Sequence, residues 1–241
     1  MVGAKTRRIA GGLTIAIAGA AAIPASAHPD NAPSIAYCDA LLNEPDVEVQ
    51  RAEAFAIPPD WADKAANSQN WLAIATQSGT TLCVDLGWYY SGENFERISD
   101  RFFGFDWSGY EAWGYVLIDP AGTGTEIDTG ARPVFSPGGR RFSTIQWSEA
   151  GWGGFEGFAV YDIYPHSVAP VHIDTALPSL ADWRIDRWDD EDCLHLSAVP
   201  FERIGYDYEQ LKGARRDHYV ASGIDGWKIT RGDTCPALDA P

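Results

Sequence analysis

Residues 135–147 read FSPGGRRFSTIQW, an apolar residue, a Ser-Pro-Gly-Gly reversal and a second run rich in β-branched and aromatic residues. Phe135 and Phe142 occupy the positions that an inter-sheet core would take. Ser136-Pro137-Gly138-Gly139 supplies the turn, because glycine alone accepts positive φ without strain. Arg140 and Arg141 begin the returning strand. By its own chemistry the stretch is a β-hairpin, and its meaning depends on whether the chain repeats it.

It does. WLAIAT and TTLCVDL flank Gln77-Ser78-Gly79, WGYVLID and GTEIDT flank Pro120-Ala121-Gly122, GFAVYDI and APVHIDT flank Tyr164-Pro165-His166, and DHYVAS and WKIT flank Gly223-Ile224-Asp225-Gly226. Four hairpins in about 160 residues predict an all-β chain. Ile127-Asp128-Thr129 followed by Pro133 matches Ile173-Asp174-Thr175 followed by Pro178, at offsets of 46 and 45 residues. Each match is followed by two further short runs: PVF and RRFSTIQW after the first, DWRIDRW and CLHLSAV after the second. We therefore read units of about 45 residues, each a hairpin plus the hairpin after it, in the size range of a propeller blade.

FSPGGRRFSTI resembles the FSPDGKRIAF-type hairpin of the TolB and WD40-like propeller repeats, with Gly138 where those repeats usually carry Asp. The resemblance implies a structural hairpin without a catalytic residue. It covers about 13 residues closely and about 100 loosely.

The N-terminal residues 1–27 begin with Lys5, Arg7 and Arg8, continue through a small apolar run and close on Ala25-Ser26-Ala27, the order of a secretory signal with cleavage after Ala27. No later segment is apolar enough to span a membrane. Removing the three basic residues leaves 15 Lys and Arg against 34 Asp and Glu, a formal charge of −19. Phosphate backbones repel such a surface, so nucleic acid is excluded as a partner. Cys38, Cys83, Cys193 and Cys235 contain no CxxC pair, so they predict two disulfides rather than a zinc or redox site. Three connectivities are open, and the sequence-nearest pairing is preferred. From Ser34 to about Asn70 the chain reads as short helices and loop, with Asn43 and Asp60 as caps and Pro58-Pro59 as a break. Phe201 to Arg216 reads as a short helix.

The common hydrolase and nucleotide motifs are missing: no G-x-S-x-G, H-E-x-x-H or P-loop occurs, and GTGTEID lacks the third glycine of a dinucleotide fingerprint. On strands, His172 shares a face with Asp174, and His195 shares one with Cys193 and Ser197; ordinary strand histidines are the preferred reading. The run Asp189-Asp190-Glu191-Asp192 lacks the spacing of a calcium loop and reads as a solvated turn. Arg231-Gly232-Asp233 reads as a chance turn. The suggestive stretch is WSEAGWGGFEGF, residues 147–158. Glu149, Trp152, Phe155 and Glu156 lie there in a Gly-rich loop, and an earlier loop carries Trp88, Tyr89, Tyr90, Trp107, Tyr110 and Trp113. Rings beside carboxylates suit sugars or cations, and equally suit plugs between sheets.

The sequence thus predicts a signal peptide (1–27), an N-terminal helical and loop segment (28–70) and an all-β domain (71–241) of repeated four-stranded units, propeller-like or sandwich-like. The expected function is a secreted envelope protein that binds or scaffolds, without a cofactor, with an envelope protein or a glycan as partner. Its candidate ligand residues are Glu149, Trp152, Phe155, Glu156, Trp107, Tyr110 and Trp113. The alternative is a glycan hydrolase using two carboxylates from Glu149, Glu156, Glu111 and Asp106.

Overall fold

The computed structural model describes residues 32–41, 54–148, 153–205 and 207–236. The expected signal segment, Asn43, Glu149 and Trp152 lie outside the described residues. One helix, α1 (Ile35–Asp39), precedes the strands β1 (Ala65–Asn67), β2 (Trp71–Ala75), β3 (Thr81–Asp85), β4 (Ser91–Arg97), β5 (Phe103–Ser108), β6 (Trp113–Asp119), β7 (Thr125–Asp128), β8 (Val134–Phe135), β9 (Arg141–Gln146), β10 (Gly157–Tyr164), β11 (Ser167–Asp174), β12 (Ala181–Trp188), β13 (Cys193–Val199), β14 (Asp217–Ser222) and β15 (Lys228–Arg231). They form four antiparallel sheets in chain order: β1-β2-β3, β4-β5-β6-β7, β8-β9-β10-β11 and β12-β13-β14-β15.

The chain is all-β, and every hairpin read from the sequence is present. The phase of the repeat is corrected. The matching Ile-Asp-Thr segments end β7 and β11, the last strands of the second and third sheets, so the hairpins after them open the next sheet. A sequence repeat has the same period wherever it is cut, and only strand pairing shows where one sheet stops. The aspartate has a physical role in that stop. Asp128 accepts from the Gly130 N–H, Asp174 from the Ala176 N–H and Asp85, ending β3, from the Gly87 N–H, at 3.1, 2.8 and 2.7 Å. Each carboxylate closes a turn that sends the chain to the following sheet.

Three further readings change. The N-terminal segment contains β1 as well as α1 and a 3-10 turn at Pro59–Trp61, so the sheets begin at Ala65 rather than Trp71. The short helix expected over Phe201 to Arg216 is two 3-10 turns, Phe201–Arg203 and Tyr208–Gly213. The first aromatic loop is largely strand: β4 is polar along most of its length, and in β5 Phe103, Phe105 and Trp107 alternate with small or polar residues toward one face.

Neighbouring sheets share one apolar layer each. Leu72, Ile74 and Val84 meet Phe103, Phe105, Val116 and Ile118 between the first two sheets, with Trp61 and Tyr89 in the same layer. Tyr115, Leu117 and Ile127 meet Phe142, Ala159 and Tyr161 between the second and third. Ile145, Phe158 and Val160 meet Trp183, Trp188, Leu194 and Leu196 between the third and fourth. At one end, arginines reinforce two of these joints. The Arg101 guanidinium grips the buried Asp119 carboxylate and donates to the carbonyls of Tyr164 and Ser167 in the next sheet. Arg141 pairs with Asp162 in its own sheet and with Asp192 and the Glu191 carbonyl in the next. Glu191 completes this joint by accepting from the Ser136 hydroxyl and the Gly138 N–H, both at 2.7 Å. The acidic run 189–192 is thus a turn whose first half, Asp189 and Asp190, is solvent-exposed as expected, and whose second half, Glu191 and Asp192, is a joint fitted onto the turn of the FSPGG hairpin.

Both disulfides have the sequence-nearest connectivity. Cys38–Cys83 pins α1 to the first sheet, and Cys193–Cys235 ties the start of β13 to the segment after β15.

Two substitutions test these joints. Arg101→Ala strands the Asp119 carboxylate, whose side chain is 1% exposed, and should cost about 3–5 kcal/mol. Arg132→Ala, at the Glu96 pair with exposures of 55% and 31%, should cost no more than about 1 kcal/mol. Equal losses in urea unfolding would contradict the joint assignment. Gly139 has φ +66° with nothing within 4 Å of an added Cβ, so Gly139→Val should cost about 1–3 kcal/mol from backbone strain alone. An unshifted melting temperature would count against that turn.

Candidate functional site

The turn chemistry of the repeat places Asp85 and Asp128 at one end of adjacent sheets, opposite the end that carries the arginine joints. Two residues before them the repeat diverges, to Cys83 in the first sheet, Glu126 in the second and His172 in the third. Cys83 is in a disulfide and His172 packs its ring 5.8 Å from Phe158. Glu126 has neither kind of duty. Its carboxylate accepts from the Tyr89 hydroxyl at 3.4 Å. Glu126 is exposed at the surface, with protein crowding its carboxylate on one side. That crowding, with the negative charges of Asp128 and Asp85 nearby, pushes its carboxyl up to about 7 against the hydrogen bond from Tyr89. Burial also raises Asp128, opposed by the Gly130 N–H.

Tyr89 belongs to one of two aromatic connectors at this end of the second sheet. Trp88 and Tyr90 precede β4, and Tyr110 and Trp113 flank the start of β6. The four are 63%, 50%, 75% and 45% exposed, an unusual state for large rings. Their segments are adjacent: Tyr90 N–H donates to the Ser108 carbonyl at 2.7 Å, and a Cβ on Gly109 would lie 3.0 Å from the Trp88 carbonyl. The Gly-rich loop closes one side. Gly154 N–H donates to the Trp113 carbonyl at 3.1 Å, and a Cβ on Gly154 would strike the Asp128 carboxylate. Only glycine lets that backbone pass so close.

The sequence-derived residues divide accordingly. Tyr110 and Trp113 are exposed in the patch. Trp107 lies beneath it, stacked on Tyr89 at 4.9 Å in the first apolar layer, and Phe155 packs against the second. Glu156 accepts from the Gly153 and Ser148 N–H groups at 3.0 and 2.8 Å, so it clasps the loop. Asp106 accepts from the Asn94 amide at 2.6 Å and, by strand alternation, faces away from Trp107; Glu111 sits in the β5–β6 turn at φ +54°. Glu156, Glu111 and Asp106 thus occupy three different settings. Sequence reading missed Glu126, although its departure from the repeat is visible once the Ile-Asp ends are aligned.

Among the described residues one group has metal-ligand spacing: Asp189, His195 and Cys235, on the fourth sheet. Comparison with protein-family profiles, with curated proteins and with solved structures finds no match.

Glu126 gives a test by pH. An ordinary glutamate titrates near 4.5 and this one near 7, so the folded state holds the extra proton. Its contribution to stability is full below about 4.5 and is lost as pH rises through about 7. Glu126→Gln removes that loss. The melting temperature of the variant minus that of the wild type should therefore grow between pH 4.5 and 7; a flat or shrinking difference would place the carboxyl outside the crowded site.

Proposed function

We propose that this is an exported binding protein of the cell envelope, a propeller-like stack of small sheets whose aromatic end face takes a glycan. The observation that carries the reading is the set of four exposed rings, Trp88, Tyr90, Tyr110 and Trp113, in two touching connectors, with the Asp128 carboxylate against Gly154 beside the Trp113 carbonyl. Flat rings cover the apolar faces of sugars, and a carboxylate at their edge accepts hydroxyl or ammonium protons. The acidic surface favours a neutral or amino-bearing glycan over a phosphorylated one. Export is supported by the signal-like residues 1–27 and by two disulfides. The propeller reading is supported by three successive four-stranded meanders, each packed on the next.

One observation favours a hydrolytic reading beside it. Glu126 and Asp128 share a face of β7 two residues apart, about 7 Å along the backbone, so two carboxyl groups serve one face as the acid and base of a glycosidase do. Glu126 near neutrality suits an acid and Asp128 a base or nucleophile.

Trp113→Ala and Tyr110→Ala should each weaken binding of neutral or amino-sugar oligosaccharides about tenfold or more, followed by tryptophan fluorescence, while stability stays within about 0.5 kcal/mol. Unchanged affinities, or no oligosaccharide bound by the wild type, would overturn the binding reading. Turnover that disappears in Glu126→Gln while the sugar still binds would select the hydrolase.

A further inference from the structure

The outer face of the fourth sheet carries a second cluster, unrelated to the aromatic end. His195 lies on β13 opposite Arg187 on β12, its side chain 7% exposed. Its Nε2 is 2.7 Å from Asp189 Oδ2 and 3.7 Å from Cys235 Sγ, and that sulfur is 3.2 Å from the same Asp189 oxygen. Cys193, two residues before His195 and therefore on the same face of β13, is bonded to Cys235. Asp189, His195 and Cys235 thus bring their ligand atoms within 4.8 Å of one another from three separate segments, and the Cys193 sulfur is bonded to the last of them.

We propose that the reduced form of this disulfide is a zinc site, with Cys193, Cys235, His195 and Asp189 as its four ligands. Zn–S bonds of about 2.3 Å and Zn–N or Zn–O bonds of about 2.0–2.2 Å place the ligand atoms of a tetrahedral site roughly 3.3–3.8 Å apart. The N···S and O···S spacings already lie in or next to that range. The N···O spacing opens by about 0.6 Å once a metal replaces the hydrogen bond, and the sulfurs separate once their bond is cleaved.

The chemistry balances. A dithiol supplies two electrons and two protons, becomes a disulfide itself and leaves thiols at Cys193 and Cys235. Zinc then displaces both thiol protons into solvent. Two thiolates and one carboxylate around Zn²⁺ carry a net charge of −1. Arg187, whose guanidinium lies 3.2 Å from Asp189 and 3.0 Å from His195 Nε2 in the oxidised chain, must swing away from that nitrogen when the metal binds, and with its side chain 61% exposed it has room to do so while still facing the net charge. The metal would hold the segment after β15 where the disulfide holds it in the oxidised chain. Cys38–Cys83 has no such option, since it packs among Ile35, Tyr37, Leu41, Trp71 and Ala73. A soft S₂NO donor set selects zinc, or cobalt as its spectroscopic stand-in, over calcium or magnesium.

The full chain, reduced with a water-soluble phosphine that takes its oxygen from water, is titrated with Co²⁺. One equivalent should bind with the intense visible bands of tetrahedral cobalt and near-ultraviolet thiolate-to-cobalt absorption, and one equivalent of zinc should bleach both. The oxidised chain should give neither. His195→Asn and Asp189→Asn should each lower cobalt affinity about tenfold or more, and Cys38→Ser with Cys83→Ser should keep the bands. If reduction unfolds the chain, zinc should restore the far-ultraviolet circular dichroism of the oxidised form. Weak octahedral bands, bands that persist in Cys193→Ser with Cys235→Ser, or a reduced chain that zinc neither binds nor refolds would each overturn the site.

Discussion

No sheet in this protein can cover its own apolar faces, and that constraint organises the rest. A sheet of three or four strands of two to eight residues stays marginal until an apolar face is covered. The second and third sheets are covered on both faces by their neighbours, and this requires large side chains on alternate residues of both faces. β6 shows the result: Val116 and Ile118 turn to the first sheet while Tyr115 and Leu117 turn to the third, and all four are essentially inaccessible. The ends of the stack need other covers. α1 and its disulfide cover the first sheet with Ile35, Tyr37 and Cys38. The last sheet buries part of its far side under Phe201, Ile204 and Leu211, and fills the remainder with hydrogen-bonded polar groups such as Ser197, Asp186, Asp182 and Arg216.

This constraint explains which features were legible in the sequence. Hairpins are local, their turns carrying Gly or Pro and their strands β-branched and aromatic residues, so all of them were readable. The disulfides followed the same locality, each closing within one sheet or between a sheet and its adjoining segment. Sheet boundaries are not local. The aspartate that ends β3, β7 and β11 looks the same whether the chain continues its sheet or leaves it, and only the pairing partner of the next strand decides. β4 was hidden for a related reason: the run Ser91 to Arg97 exposes much of its length, so it lacks the apolar alternation that marks a half-buried strand.

The candidate site was half legible, and the division is physical. The aromatic connectors stand out by composition, but composition does not separate a stacked ring such as Trp107 from an exposed one such as Trp113, six residues later. Exposure depends on which side of a strand end the ring leaves, and that depends on the register of β5 against β6. Glu156 misled for a similar reason. A glutamate in a Gly-rich loop has the look of a ligand group, yet two backbone N–H groups converging in a tight loop attract a carboxylate just as well. Glu126 was inconspicuous within a strand and gains its character only from Tyr89, Asp85 and Asp128 gathered by the fold.

Where the arginines go decides what the surface becomes. Ten of the described arginines lie within 4.0 Å of a carboxylate, and the most buried of them, Arg101, Arg141 and Arg216, span sheets or strands in the joints. Guanidinium groups suit these positions because a planar fork satisfies a carboxylate and neighbouring carbonyls together, as Arg101 does across the second joint. Arginines paired with carboxylates add no net positive charge, and with 18 basic residues against 34 acidic ones the surface is left negative. The field at the aromatic end therefore arises from Asp85, Glu126, Asp128 and Glu111 with little opposing charge. Such an end repels phosphates, sulfates and anionic lipids and accepts neutral or cationic groups. The internal use of arginine thus narrows the ligand class of the exposed rings without any contact between the two.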